Sequence, residues 1–432
     1  MEKSKRHKIG LWSMILLGFN SIVGTGIFLL PNKAMKLMGT ASLLVILFDA
    51  ALAVAVALCF AEAGSMFSKG GGPYLYTKKA FGDFPAFEVG IMTYAVCIIA
   101  AATMAVGFST ALSVFWPAAA HGLTKDIIVI SVIVVLTIIN LIGVNFTKII
   151  LNVATIGKLV PLVLFIAVGI FFIKGSNFTP ILPHNTYVSG SFGTAALLIF
   201  FAFTGFESLA LGAEDMENPK KNIPRAIIIV MAIVAAVYML IQIVSIGMLG
   251  QGLANDLTPV STATQRFLGP FGADFISIGI LVSIIGINVA QSFYTPRIAK
   301  SLADDGLLPK PMAKMSKRNV PYIGIIVSAI ITIPIALSGS FTELAVISSI
   351  SRFAQYLPTC VAILVLRRKK DLNATFRIPF GPIIPIVASV VSIWLVLQSS
   401  LKNIVWGLGA LVIAVPLYFI MRKYNKQEEI KE

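Results

Sequence analysis

Twelve apolar runs, most of them about 20 residues or longer, fill nearly the whole chain. They cover approximately residues 10–36, 40–66, 85–116, 126–144, 149–173, 192–213, 223–250, 272–302, 321–338, 341–366, 382–400 and 403–421. The hydrocarbon core of a bilayer is about 30 Å thick, which an α-helix of roughly 20 residues crosses. Lipid cannot satisfy the free backbone groups of an open sheet. A β-barrel needs short alternating segments, and IIVISVIVVLTII at 127–139 does not alternate. The expected fold class is therefore all-α and polytopic, with twelve transmembrane helices. Only 12% of the residues are charged, against about 25% in a soluble domain, which excludes a water-soluble globule.

The basic residues sort by side. With the N-terminus in the cytoplasm, 26 Lys and Arg fall inside and six outside, while Lys158 and Arg352 lie within spans. This asymmetry predicts a multi-pass cell-membrane protein with both termini cytoplasmic and an even number of spans. It also accounts for the net charge of +15 without nucleic acid, since no basic patch is interleaved with aromatics. KSKRHK precedes the first run, but no small-residue cleavage site interrupts that run, so it reads as a helix and not a signal peptide. Cys59, Cys97 and Cys360 lie in apolar runs without a CxxC pair, and His7, His121 and His184 have no metal-ligand spacing. No metal or cofactor is expected.

Two runs contain glycine at matching places. The first reads GFNSIVGTGIFLLP, with Gly24 and Gly26 at its middle, and the sixth reads LLIFFAFTGFESLALG, with Gly205. A helix-interior glycine costs about 1 kcal/mol relative to alanine. One alone is explained by close helix packing. Spans one to five and six to ten, however, form two halves, and each half opens with an interrupted span. Such paired interruptions point to a transporter's midplane site. Free N–H groups at the start of a half-helix attract a carboxylate, and free carbonyls at its end attract an ammonium. Together they would hold the backbone of an α-amino acid.

Lys158 lies inside the fifth run, where a lysine costs about 2.5–3.5 kcal/mol on insertion scales. It either snorkels to the interface or serves a function that uses its gain and loss of a proton. Glu207 follows the second break directly, and an intramembrane carboxylate is a functional candidate by default. Asp49, Glu62 and Arg352 read as packing or gating groups. Glu214, Asp215 and Glu217 beside Lys220, Lys221 and Arg225 form a solvated charge cluster or an inner gate.

Several motifs carry a family resemblance. Asn20 through Phe28 (NSIVGTGIF) resembles the first-helix signature of the amino acid–polyamine–organocation superfamily. Gly70 through Tyr76 with Ala80-Phe81-Gly82, Phe201 through Glu207 with Glu214 through Arg225, and Arg297 through Pro309 resemble three further stretches of that family. The resemblance implies a leucine-transporter-like fold of 5+5 inverted repeats. The first repeat would cover 10–173, the second 192–366, and two more helices 382–421, between cytoplasmic tails at 1–9 and 422–432. It implies that the substrate carboxylate meets the amides of Thr25, Gly26 and Ile27. The ammonium would meet the carbonyls of Ile22, Val23, Phe201 and Thr204, with Phe201 or Phe206 as an aromatic gate.

The resemblance also implies that the Lys158 ammonium replaces a sodium ion between helices one, five and eight, and that Lys158 and Glu207 serve proton coupling. Side-chain recognition would fall to Ala101, Met104, Phe206, Asn288 and Gln291. Arginine–agmatine exchangers of the superfamily have an asparagine and a tryptophan near the positions of Ala101 and Gln291, so a guanidinium substrate is disfavoured. The implied activity is proton-coupled transport of a neutral or small polar amino acid by alternating access. The partners are then the amino acid, protons and the lipid bilayer. An exchanger with a cationic or polyamine substrate, and a transport-dead sensor, remain as alternatives. No HExxH, GxSxG, Walker A or CxxC motif supports an enzyme.

Overall fold

The computed structural model describes residues 9–67, 71–143, 147–182, 188–211, 213, 216–370 and 372–429. Glu214 and Asp215 lie outside the described residues, as do most of the tail at 1–9 and the last residues of the tail at 422–432. The described residues are helical apart from loops and one isolated bridge between Ile9 and Met216. Among them, eight helices are long and apolar enough to cross a bilayer. Four shorter apolar helices accompany these, at Leu11–Ile22, Gly157–Phe172, Tyr322–Leu337 and Ile383–Leu397.

The first apolar run is three pieces: α1 (Leu11–Ile22), α2 (Thr25–Leu29) and α3 (Pro31–Met38). Val23 is extended and Gly24 leaves helical geometry, which ends α1, and Pro31 opens α3 where its missing N–H costs nothing. Then come α4 (Ser42–Met66), α5 (Gly72–Phe81), α6 (Asp83–Leu112), α7 (Gly122–Ile142) and α8 (Thr147–Gly169). The sixth run is again divided. Helix α9 (Ser191–Phe200) passes through a 3₁₀ turn at Phe201–Phe203 to extended Thr204, and α10 (Ser208–Leu211) follows. The rest comprises α11 (Pro219–Leu249), α12 (Pro259–Asp304), α13 (Tyr322–Leu337), α14 (Phe341–Leu366), α15 (Ile383–Leu397) and α16 (Leu401–Glu429). Helix α12 is interrupted at Gly269, where φ is +69°, and resumes at Pro270.

Burial separates the centre from the periphery. The apolar stretches of α6 and of the divided sixth run are each 83% buried, while that of α7 is 11% buried and that of α16 17%. Side chains such as Leu123, Val135, Val412 and Ile413 are exposed. On a chain of this hydropathy they face lipid. In the centre, α4 packs along α11, α12 along α8 and α6, and α14 against α6, α4 and α9. The two divided runs lie within this frame.

Candidate functional site

The two interruptions touch. A β-carbon on Gly205, whose φ is +120°, would lie 2.4 Å from the Ser21 carbonyl oxygen at the end of α1. A β-carbon on Gly26 would lie 2.8 Å from Cβ and 2.9 Å from Cα of Ala202. Both glycines are needed for this approach of backbone to backbone. In this conformation Ala202 fills the space beside Gly26. Tyr238 of α11 bridges the breaks: its hydroxyl donates to the Ala202 carbonyl at 2.9 Å and reaches the Ile22 carbonyl at 3.3 Å. A cavity of about 10 Å³ adjoins them, lined by Gly26, Ala202, Ile46, Tyr238 and Gln242 among others. It has room for about one water.

The carbonyls left free where α1 ends are taken by Lys158. This side chain is fully buried. Its Nζ donates to the Val23 carbonyl at 2.7 Å and to the Asn20 carbonyl at 3.0 Å. Lys158 thus points into the protein and not toward an interface. The Nζ lies at the negative end of the α1 dipole, which favours the protonated amine.

The other expected residues divide into two groups. Thr25 donates from Oγ1 to the Met104 sulfur at 3.2 Å, and Asn288 Nδ2 donates to the Met104 carbonyl at 3.2 Å. These contacts join α2, α6 and α12 beside the first break. Ala101 and Gln291 are half-buried, one turn away from Met104 and Asn288 on their helices, and no hydrogen bond from the Gln291 side chain is seen among the described residues. Thr204 bonds through Oγ1 to the Phe201 carbonyl at 2.7 Å, so that carbonyl already has a partner. The two aromatics diverge. Phe201 meets Phe341 edge-on at 6.0 Å, whereas Phe206 stacks on Tyr356 at 5.3 Å and meets Phe60 at 5.4 Å. Phe341 and Tyr356 lie about 22 Å apart along α14 at 1.5 Å per residue. Ile27 is buried in α2.

Glu207 is not alone. Its Oε1 pairs with Arg352 Nη1 of α14, and its Oε2 accepts from Tyr356 O–H at 2.8 Å and from Gly205 N–H at 3.0 Å. Both charges are buried, at 7% and 6% relative exposure. This ties the second break to α14. Nearer the other end of α14, Glu62 accepts two 2.6 Å bonds from Arg367 and one of 2.9 Å from Ile378 N–H. The sequence places both charges of the first pair inside apolar runs, where a charge is a functional candidate, but nothing in it pairs Glu207 with Arg352. Tyr238 carried no signal, since a tyrosine in an apolar run reads as packing. Among the described residues no group of three or more His, Cys, Asp or Glu is placed to hold a metal ion.

The sequence matches the amino acid permease family over residues 9–423. It is 28% identical to a methylthioribose transporter of Bacillus subtilis, over 98% of this chain and 95% of that one. It is also 28% identical to a branched-chain amino acid permease of the same bacterium, with the same coverage, and to its serine/threonine exchanger, over 98% of each chain. The chain therefore belongs to the amino acid permease family of the amino acid–polyamine–organocation superfamily, as a multi-pass membrane protein.

Proposed function

We propose that the protein is a secondary active transporter that carries a neutral or small polar amino acid across the cell membrane, coupled to protons, by alternating access. The observation that carries this reading is the buried Lys158 ammonium on the carbonyls of Asn20 and Val23, directly beside two touching helix breaks. A fixed cation there holds the end of α1 without a bound metal ion. Its loss of a proton would free that end to move, which links tilting of the first span to pH.

In this reading the eight long and four shorter apolar helices make twelve spans. They form two inverted five-helix repeats at 10–173 and 192–366, followed by helices at 382–421 and flanked by cytoplasmic tails. When Ala202 withdraws from Gly26, the amides of Thr25, Gly26 and Ile27 receive the substrate carboxylate. The carbonyls of Ile22, Val23, Phe201 and Thr204 then receive the ammonium. Thr25, Met104, Asn288, Ala101 and Gln291 wall the side chain, and Phe201 and Phe206 close the two ends. Glu207 is satisfied by Arg352, Tyr356 and Gly205. It is therefore not a free counter-ion for a cationic side chain, which favours a neutral substrate over a polyamine and gives Glu207 a gating role.

Exchange is the second reading, favoured by the serine/threonine exchanger among the relatives. A thermal-shift screen of purified protein against the common amino acids and polyamines, followed by counterflow in proteoliposomes, tests the proposal. Stabilisation and counterflow by a neutral amino acid are expected. Stabilisation by polyamines alone, or binding without counterflow, would overturn it.

A further inference from the structure

One buried acid stands outside both the breaks and the ion pairs. Asp49 of α4 is fully buried, and neither of its carboxyl oxygens has a hydrogen-bond partner. Its place is specific. Ser42, two turns earlier on the same face of α4, accepts from Gln242 Nε2 of α11 at 3.0 Å. Ile46, one turn earlier, lines the cavity shared with Gly26, Ala202, Tyr238 and Gln242. Gln242 Oε1 and Ser245 Oγ on the facing helix are likewise buried without partners. Asp49 thus lies just below a small cavity behind the two breaks, on a polar seam between α4 and α11.

Among the described residues, nothing charged answers it. From α11 the facing titratable group is Tyr238, whose hydroxyl is committed to the breaks. From α14, Arg352 and Tyr356 are engaged on Glu207. Helices α9 and α15 carry no titratable side chain. The lysines of α3 and α5, with Lys220, Lys221 and Arg225 of α11, lie toward the ends of α4, as does Tyr76 of α5 beside Phe60 and Phe67, and on α4 itself Glu62 is held by Arg367. Among the described residues, none makes a hydrogen bond or ion pair with Asp49. An ionised carboxylate in such surroundings would be an uncompensated charge, while the neutral acid leaves far less unsatisfied.

We propose that Asp49 is a proton-binding site additional to Lys158: it is a neutral carboxylic acid in the conformation described, and it ionises when the breaks separate and water enters the cavity. Its O–H bond breaks, the electron pair stays on the carboxylate, and the proton passes to water. This inference rests on the transport reading and adds a second proton-carrying group to it.

The test uses the full chain reconstituted in liposomes. Asp49→Asn keeps the size and neutrality of the acid and removes the exchangeable proton. Counterflow by Asp49→Asn should persist, while accumulation driven by an imposed pH gradient should fall about tenfold or more, within the range of coupled sites. Asp49→Glu should retain part of that accumulation. Accumulation by Asp49→Asn equal to the wild type, or wild-type accumulation indifferent to the gradient, would overturn the proposal. Infrared spectroscopy of wild-type protein labelled with ¹³C-carboxyl aspartate keeps the test open should Asp49→Asn fail to fold. A carboxylic-acid C=O stretch at neutral pH is expected, and its absence overturns the proposal whatever the transport assays give. Failure of the wild type to catalyse counterflow with any amino acid would overturn the transport reading instead.

Discussion

Replacing Arg352 by methionine isolates the energetics of the link between the second break and α14. The substitution keeps most of the side-chain bulk and removes the guanidinium from Glu207. Breaking a buried ion pair by removing one partner costs about 3–5 kcal/mol, whereas replacing both by groups of similar volume is near neutral or stabilising. Here Glu207 would retain its bonds from Tyr356 at 2.8 Å and Gly205 at 3.0 Å. It can also neutralise itself by taking up a proton. Both effects place Arg352→Met toward the low end, at about 3 kcal/mol. Glu207→Gln should cost a similar amount, because it leaves Arg352 as the unpaired buried charge. The double variant should cost about 1 kcal/mol or less, since replacing both partners is near neutral, so two singles of about 3 kcal/mol each imply a coupling energy of about 5 kcal/mol. Thermal unfolding of the four purified proteins, followed by a fluorescent thiol probe, supplies the cycle. A double variant whose destabilisation equals the sum of the singles within about 0.5 kcal/mol would refute the reasoning.

Three further outcomes follow from the same geometry. Lys158→Met should express, yet lose about tenfold or more of its pH-driven uptake and show a flattened pH profile, because the carbonyls of Asn20 and Val23 lose charge-assisted bonds of about 1.5–3 kcal/mol each; proteoliposome uptake across an imposed gradient checks this. Gly26→Ala places a β-carbon 2.8 Å from that of Ala202, so overpacking of about 1–3 kcal/mol should force the breaks apart, read as a lowered unfolding temperature and weaker substrate stabilisation. Tyr238→Phe removes a donor shared by the Ala202 and Ile22 carbonyls and should cost about 1–3 kcal/mol for the unsatisfied acceptors, measured by the same unfolding assay.

How far the sequence discloses the structure depends on what kind of force acts. The apolar runs were legible because the hydrocarbon thickness sets a length that composition must meet. The interruptions were legible because Gly24, Gly26 and Gly205 stand where a helix would otherwise continue, and the chain does leave helical geometry at Val23–Gly24 and Thr204–Gly205. The subdivision of the first run at Leu30–Pro31 was less visible, since it changes neither hydropathy nor length. Contacts between distant segments were hidden. Glu207 and Arg352 are 145 residues apart, and α14 had no marker that it lies beside the second break. Tyr238 is one hydroxyl in a run of aliphatic residues. Its role arises only because α11 passes both breaks, a matter of packing that no local pattern records. The approach of Ala202 to Gly26 joins residues far apart in the chain, which no local pattern records.

In the proposed mechanism, main-chain polarity at two touching breaks holds both ends of a zwitterion. The direct measurement takes the amino acid that most stabilises the purified protein and compares it with its decarboxylated amine and its deaminated acid in a binding titration. Each missing group forfeits charge-assisted hydrogen bonds worth about 1.5–3 kcal/mol, so each stripped compound should bind about tenfold to a hundredfold more weakly. An amine or an acid that binds as tightly as the parent amino acid would contradict the claim.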